Sequence, residues 1–151
     1  MALSGILSSE IGIKAPASKW FNLFTKQLQR IPIIVDGVEN VTLLQGDWHT
    51  IGSVKQWSEI VDGKVATFKE KIEAIDEKNK WIRYNIFDGE MNKHYKVYIL
   101  TIQVNEKDDG SASIKWTIEY EKVNETLEPP YPYMDSITKG CKDIDAELLK
   151  E

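Results

Sequence analysis

The residues best suited to catalysis or metal binding are few and widely separated in this chain. The two histidines, His49 and His94, lie far apart, and neither has the spacing of a metal-ligand set around it. The single cysteine, Cys141, falls on an apolar stripe with no histidine near it in sequence, which favours a buried structural thiol over a nucleophile. We therefore expect no metal and no cofactor, and an intramolecular disulfide is excluded.

A loop that contains glycine, Gly46–Gly52, is the second place where chemistry could occur. Such loops can cradle a phosphate through backbone N–H groups. A Walker loop needs Gly-Lys-Ser/Thr at the start of a helix, and Gly52-Ser53-Val54-Lys55 does not supply it. A connection between two strands is the favoured interpretation. Trp48 and His49 would then either shape the rim of a ligand site or pack on the surface.

Lys69 and Lys71 are the basic candidates for contact with a ligand. They lie on a predicted strand whose facing is ambiguous, because Phe68 and Ile72 could point inward instead. If either lysine points into a cavity, it could hold an anionic head group such as a phosphate or carboxylate. A lysophospholipid with one apolar tail would suit that arrangement. The alternative is a pair of solvated lysines, which is the commoner state of this residue.

The first third of the chain predicts one strand and two short helices. Residues Leu3 to Ile13 alternate with an imperfect period of two, which indicates an opening strand. Pro16 can start a helix, and apolar residues from Trp20 to Ile31 follow at helical spacing. Pro32 should stop or bend that helix, because proline lacks an N–H and clashes with the preceding turn.

The middle of the chain, from Val38 to Lys122, predicts about six antiparallel strands. Asp-Gly and Gly-Asp pairs punctuate runs of β-branched and aromatic residues, and Asp62-Gly63 is the strongest hairpin signal. Three strands alternate clearly, with one apolar and one wetter face. Their apolar positions are Ile82, Tyr84, Ile86, Tyr98, Leu100, Ile102, Ile114, Trp116, Ile118 and Tyr120. A buried hydroxyl without a partner costs roughly 1–3 kcal/mol, so the tyrosines predict water or a polar ligand group nearby.

The last segment predicts one long helix after Pro129-Pro130-Tyr131-Pro132. Met134, Ile137, Cys141, Ile144 and Leu148 recur at spacings of three and four and form an apolar stripe. A curved sheet must cover its apolar face, and only this helix is long enough to do so. The hollow between sheet and helix is then the usual place for a small ligand. Gly140 either makes room there for a ligand or for a close approach of the sheet, or is merely tolerated.

Charge and composition limit the partners. The net charge is −5, and basic residues are interleaved with acidic ones, so nucleic acid is not the expected main partner. The chain opens Met1-Ala2 without a basic leader and contains no apolar run of a membrane span's length. We therefore expect a cytoplasmic protein of one domain, residues 1–151, that is a monomer or a weak dimer.

The most specific of several informative strings along the chain is Gly46-Asp47-Trp48-His49-Thr50-Ile51-Gly52-Ser53-Val54-Lys55-Gln56-Trp57. It resembles the loop of the major latex protein or ripening-related branch of the Bet v 1 superfamily, and it is poorer in glycine than the loop of the pathogenesis-related branch. Tyr84-Asn85-Ile86-Phe87-Asp88-Gly89 and the segment Ile114 to Lys122 also match, as does Lys142 to Leu149.

The resemblance implies a helix-grip fold with a seven-stranded antiparallel curved sheet around the final helix, and two short helices between strands 1 and 2. It also implies a large cavity for a lipid, steroid or phenolic ligand, and a role in plant defence and stress responses. The predicted ligand contacts are Phe24, Trp57, Ile82, Tyr84, Ile86, Tyr98, Leu100, Ile102, Ile114, Trp116, Ile118, Met134, Ile137, Gly140, Cys141 and Ile144. The predicted polar contacts are His49, Lys69, Lys71 and Tyr120.

Two catalytic alternatives stay open. Norcoclaurine synthases, which share the fold, use a cavity lysine with acidic and tyrosine partners, and Lys69 or Lys71 with Tyr84 or Tyr98 could imitate them. No acid can be placed beside these residues from sequence, although acid–base catalysis needs partners within hydrogen-bond reach. The ribonuclease activity of the pathogenesis-related branch is disfavoured by the acidic balance and the altered loop. We expect no catalysis.

Overall fold

The computed structural model describes residues 3–151, so Met1 and Ala2 lie outside the described part of the chain. Seven strands form a single antiparallel sheet in the order β1-β7-β6-β5-β4-β3-β2. The strands are β1 (Ser4–Ile13), β2 (Val38–Gln45), β3 (Val54–Val61), β4 (Lys64–Asp76), β5 (Trp81–Phe87), β6 (Tyr95–Glu106) and β7 (Ala112–Lys122). The helices are α1 (Ala17–Lys26), α2 (Ile31–Ile34) and α3 (Tyr131–Leu149), with short 3₁₀ turns at Leu28–Arg30 and Glu90–Lys93. This confirms the predicted fold class.

The strand order places β1 and β2 at the two edges of the sheet. Strands β2 to β7 pair in sequence, and β1 returns to pair with β7 along its whole length, from Ser4↔Glu121 to Ile13↔Ala112. The predicted alternation on β5, β6 and β7 is confirmed, because the apolar positions of these strands are buried. These residues form one layer of the core, and α1 and α3 supply the other.

The β3–β4 hairpin forms at the predicted place. Val61 pairs with Lys64, so Asp62 and Gly63 are the two loop residues. Their φ angles are +54° and +75°, the left-handed values that a type I′ turn requires at both positions. This tight turn fixes the register in which Trp57 lies opposite Phe68.

The two predicted short helices are present, but Pro32 does not end the first one. Helix α1 ends at Lys26, and Gln27 leaves the helical region with φ −134°. Pro32 lies in the first turn of α2, where a missing N–H costs nothing because that donor has no partner within the helix. The break therefore precedes the proline, which starts the second helix instead of stopping the first.

A half-buried carboxylate joins the first helix to the last. Asp145 on α3 accepts hydrogen bonds from the backbone N–H groups of Lys14 and Ala15 at 2.8 and 2.9 Å. It also accepts one from the indole Nε1 of Trp20 at 3.1 Å, and Trp20 is fully buried. These three bonds fix the end of β1 and the start of α1 against α3.

Gly89 is required for space. A Cβ at Gly89 would lie 2.7 Å from Phe68 Cα and 2.9 Å from Thr67 O, both backbone atoms that cannot move aside easily. The left-handed φ in this turn, +48°, belongs to Asp88. The Asp88-Gly89 turn thus packs directly against β4.

Candidate functional site

A cavity of about 670 Å³ lies between the concave face of the sheet and the helices. Its floor consists of Trp57, Phe68, Tyr84, Leu100, Ile102 and Trp116 on β3 to β7. Its roof consists of Phe24, Leu28, Ile31 and Val35 with Tyr133, Ile137, Gly140 and Ile144 of α3. The apolar residues come from alternate strand positions and from one stripe of α3. The period of two on the strands and the helical period on α3 therefore direct apolar side chains into the same cavity.

The structure divides the predicted ligand contacts into two groups. Phe24, Trp57, Tyr84, Leu100, Ile102, Trp116, Ile137, Gly140 and Ile144 line the cavity. Ile82, Ile86, Tyr98, Ile114, Ile118, Met134 and Cys141 are buried but do not line it. Residues that share a sheet face do not all reach the hollow, because part of that face packs directly against side chains of the helices and of neighbouring strands.

Cys141 and Tyr98 show why the second group is core. The Cys141 thiol accepts a hydrogen bond from Trp116 Nε1 at 3.2 Å, and burial raises its pKa to about 12. The Tyr98 ring packs edge-on against Tyr95 and Tyr133, with centroids 5.5 and 5.7 Å apart. The Cys141 thiol and the Tyr98 ring thus contact protein, whereas the Tyr98 hydroxyl has no hydrogen-bond partner among residues 3–151.

None of the predicted polar contacts lines the cavity. Lys69 and Lys71 lie on the opposite face of β4 from buried Phe68, and Lys69 Nζ is 3.5 Å from an Asp88 oxygen. His49 is exposed in the β2–β3 loop. Tyr120 packs under β1, where its hydroxyl fills the space beside Gly5 that a side chain would need. The reasons differ: both lysines face away from the cavity on β4, His49 lies in an exposed loop, and Tyr120 lies on the predicted inward face of β7 but is covered by β1.

The charged group that sequence reasoning missed is Glu70. Glu70 shares the inward face of β4 with Phe68, lines the cavity, and is only 5% exposed. Its Oε1 accepts a hydrogen bond from Trp57 Nε1 at 3.1 Å. Burial raises the pKa of Glu70 to about 7, against the lowering effects of Lys55 and of that hydrogen bond. The period of two on β4 contained the signal, because inward Phe68 and Ile72 require inward Glu70.

A second carboxyl, Glu59, lines the same cavity from β3. Burial, with a smaller contribution from the charge of Glu70, raises the pKa of Glu59 to about 8. Two carboxyls whose pKa values lie near neutrality are thus placed in one apolar hollow. Each can gain or lose a proton in the physiological range, which is a property common at functional sites.

Three buried side-chain polar atoms have no hydrogen-bond partner among residues 3–151, namely Lys55 Nζ and the hydroxyls of Tyr84 and Tyr98. Tyr84 is 1% exposed and lines the cavity, Lys55 is fully buried, and Tyr98 does not line the cavity. Lys55 is directly opposite Glu70 in the β3–β4 register, and desolvation lowers its pKa while Glu70 opposes that shift. Unpaired buried groups of this kind are energetically costly, and the predicted water or polar ligand group near the tyrosines stays a prediction.

The cavity reaches the surface between three segments. Asp36 and Gly37 precede β2, Asp62 and Gly63 form the hairpin, and the third segment is the outer part of α3 around Asp135, Lys139 and Asp143. These α3 side chains are exposed. We call this opening the mouth. The Ser136 hydroxyl donates to the Ile60 carbonyl at 3.2 Å and ties α3 to the hairpin there.

Gly140 marks a close approach of helix α2. A Cβ at Gly140 would lie 3.2 Å from Cγ1 of Val35, the residue that ends α2. Gly140 also lines the cavity. The close neighbour is thus Val35, the cap residue that follows α2, and not the sheet, whereas the alternative of room for a ligand stays a prediction.

A carboxylate of the chain itself binds donors in the loop between β2 and β3. The N–H groups of His49 and Thr50 both donate to Asp47 Oδ1 at 2.8 Å, and the Thr50 hydroxyl donates to Oδ2 at 2.6 Å. These bonds lower the pKa of Asp47 to about 2. The donors of His49 and Thr50 are therefore already used within the loop, which disfavours a phosphate there.

Comparisons with known proteins agree with the fold and the cavity described above. Residues 2–151 match the profile of the pathogenesis-related protein Bet v 1 family. The chain belongs to this family. In Arabidopsis thaliana, MLP-like protein 43 is 34% identical over 99% of this chain and 96% of its own length. MLP-like protein 34 is 35% identical over 96% of this chain and 46% of its own length, so the chain spans about half of that relative.

Solved structures of the Bet v 1 fold give the same picture. The crystal structure of ginseng major latex-like protein 151 from Panax ginseng superposes with a TM-score of 0.94 at 30% identity, covering 98% of this chain and 99% of that one. Norcoclaurine synthase from Thalictrum flavum, in complex with dopamine and hydroxybenzaldehyde, has a TM-score of 0.73 at 17% identity, covering 95% and 87%. At that identity the likeness concerns the fold alone.

Proposed function

We propose that this protein is a carrier or receptor that holds one amphipathic small molecule in the cavity under α3. The observation that carries the proposal is the cavity itself, about 670 Å³ of space within an otherwise close-packed core. Natural pockets for drug-sized ligands have volumes of roughly 300–1,000 Å³ and apolar walls with a few polar groups. Packed protein interiors leave few voids larger than a water molecule, so a hollow of this size needs a function.

The lining supports an amphipathic ligand instead of a purely apolar one. Aromatic and aliphatic walls favour an apolar body, whereas Glu59, Glu70 and the unpaired Tyr84 hydroxyl are polar groups without enough protein partners. A ligand with one polar end would satisfy them, and a hydrocarbon would leave them unpaired at a cost. Lipid, steroid and phenolic ligands remain the classes expected of the family, and the polar end selects among them.

The family also supports a proposal about the cell compartment and the biological role of this carrier. The relatives named above are plant proteins, and we propose a cytoplasmic role in plant defence or stress responses. None of the helices within residues 3–151 has the length and hydropathy of a membrane span. Fractionation of plant cells, with size-exclusion chromatography and light scattering, would test the compartment and the expected monomer or weak dimer.

Ligand binding can be tested by filling the cavity. Ile137→Trp places an indole into the hollow from α3, and Ile33→Trp makes the same change on α2 at a side chain that is 87% exposed. We expect an uncharged fluorescent probe with an apolar tail to bind the wild type and Ile33→Trp equally, and to bind Ile137→Trp at least about ten-fold more weakly. Equal binding to all three proteins would place the probe elsewhere and contradict the proposal.

Acid–base catalysis is the second candidate, because Glu70 is a buried carboxyl with a pKa of about 7 beside Tyr84 in a cavity. A general acid or base is most effective when its pKa is near the working pH. The constellation first considered, with Lys69 or Lys71, is not formed because both lysines lie on the other face. Condensation of an amine with an aldehyde, followed by mass spectrometry with wild type and Glu70→Gln, tests this candidate. Product that the variant does not form would favour it over the carrier.

A further inference from the structure

The ionisable side chains around the cavity are almost all acidic. Asp36, Glu59, Asp62, Glu70, Asp135 and Asp143 line it, and Lys139 is the one basic residue among the described lining. The carboxyl groups are distributed over the depth of the cavity, with two inside and four at the mouth. Among residues 3–151 no group of His, Cys, Asp or Glu side chains has the geometry to hold a metal ion. The acidic lining therefore needs a different explanation.

Burial disfavours the ionised forms of the inner carboxyls even though the Lys55 ammonium, opposite Glu70 in the β3–β4 register, favours ionised Glu70. Glu59 and Glu70 lie on neighbouring strands of the concave face, and desolvation disfavours the ionised form of each. Only Oε1 of Glu70 is used in a hydrogen bond among residues 3–151, namely the bond from Trp57. A ligand cation near the two carboxyls would favour their ionised forms and offset their negative charge.

The Tyr84 hydroxyl is an independent sign that a polar ligand group belongs at this place. It is buried, has no partner among the described residues, and lies on the cavity wall diagonally across the β4–β5 pairing from Glu70. A ligand ammonium group could donate one N–H to the Tyr84 oxygen and another to Glu70. Charged donors to a carboxylate form hydrogen bonds about twice as strong as neutral ones.

The aromatic walls suit the same chemistry. Phe24, Trp57, Phe68, Trp116 and Tyr133 surround the hollow. Indole and phenyl faces attract a cation that lies within about 6 Å of the ring, and they also accommodate an apolar body. The acidic mouth adds long-range attraction for a positively charged molecule and repulsion for a negatively charged one.

From these observations we propose that the ligand is an amphipathic molecule with a protonated amine, whose nitrogen lies at Glu59, Glu70 and Tyr84. The apolar body then lies against the aromatic walls below α3. This inference rests on the proposed carrier function and narrows its ligand class. It disfavours fatty acids and other ligands whose polar end is anionic, including the lysophospholipid phosphate that the outward lysines were expected to hold.

The proposal predicts that binding releases protons. At about pH 7 the inner carboxyls are partly protonated, and an ammonium group placed beside them would lower their pKa values and displace protons into the buffer. Isothermal titration in two buffers of different ionisation enthalpy measures this release directly. A neutral ligand in the same cavity would leave the proton count nearly unchanged.

The test uses three probes that share one apolar chain: decylamine, decanol and decanoate, each titrated below its aggregation concentration. We expect decylamine to bind the wild type at least about ten-fold more tightly than decanol, with proton release, and decanoate to bind most weakly. In Glu59→Gln/Glu70→Gln the preference for the amine should fall to near unity. The exposed Glu77→Gln serves as the matched control and should behave as the wild type.

The outcomes separate this inference from the function on which it rests. If decanol binds as tightly as decylamine, or decanoate more tightly, the carrier proposal stands and the amine proposal is overturned. If none of the three probes binds and no lipid, steroid or phenolic ligand binds either, both proposals fail. Proton release in the wild type gives the same decision without any variant, so a double variant that does not fold leaves the test intact.

Discussion

Replacement of Glu70 by glutamine should make the protein more stable at neutral and alkaline pH, although it removes a charge from a buried ion network. Glu70 is 5% exposed, lies opposite Lys55 in the sheet register and accepts one hydrogen bond from Trp57. Glutamine has the shape of the protonated carboxyl and keeps an acceptor for the indole N–H. The substitution therefore retains the low-pH form of the site and removes the ability to ionise.

The magnitude follows from the pKa. Glu70 has a pKa of about 7 in the native protein against an ordinary value of 4.5, so the native state binds the proton more tightly than the unfolded state. The stability associated with this proton is fully present below about pH 4.5 and is lost as the pH rises towards 7. Each pKa unit corresponds to about 1.4 kcal/mol, so the free energy of unfolding should fall by about 3 kcal/mol from this site.

Urea unfolding at about pH 4, 5, 6, 7 and 8, followed by circular dichroism, measures the effect. We expect the wild type and Glu70→Gln to have similar free energies of unfolding at about pH 4, and the variant to be more stable by about 3 kcal/mol at about pH 8. The exposed Glu77→Gln is the matched control and should follow the wild type. Parallel curves for wild type and Glu70→Gln would refute the buried position of this carboxyl.

Three further predictions concern the contacts that build the site. Asp145→Ala should lower the free energy of unfolding by about 3 kcal/mol, because it removes three hydrogen bonds to a charged group, whereas Asp143→Ala on the exposed side of α3 should change it little. Gly89→Ala should cost about 1–3 kcal/mol from its clash with strand β4, and Gly12→Ala, which meets nothing within 4 Å, measures the baseline in the same denaturation series. Native Cys141 should react with iodoacetamide at about pH 8 far more slowly than in urea, since its thiolate is suppressed; equal rates would show an accessible thiol.

The fold was predictable because each element carries a local signal that agrees with the tertiary structure. The period of two on β5, β6 and β7 and the stripe from Met134 to Leu148 placed the two layers of the core correctly. Asp62-Gly63 fixed a hairpin whose turn type requires left-handed backbone at both positions. Pro32 was predicted to stop or bend the first helix, but it lies in the first turn of the second. The sequence allows both positions, because proline fits the first turn of a helix as well as the position after one.

The cavity was predictable in outline but not in its chemistry. The distance between α3 and each strand determines whether an inward residue lines the cavity or packs in the core. No local sequence pattern contains that distance. The two lysines were chosen as polar contacts for a simpler reason. Lysine suits an anionic head group, so Lys69 and Lys71 were considered, whereas Glu70 between them is the residue that the alternation directs inward.

The most direct test of the central claim is native mass spectrometry of the protein purified gently from plant tissue, followed by identification of any molecule released on denaturation. The proposal predicts one stoichiometric small molecule with an apolar body and a polar end, absent when Ile137→Trp is expressed and purified in the same way. A protein that arrives empty, and whose melting temperature no lipid, steroid, phenolic or amine ligand raises, would contradict the carrier function.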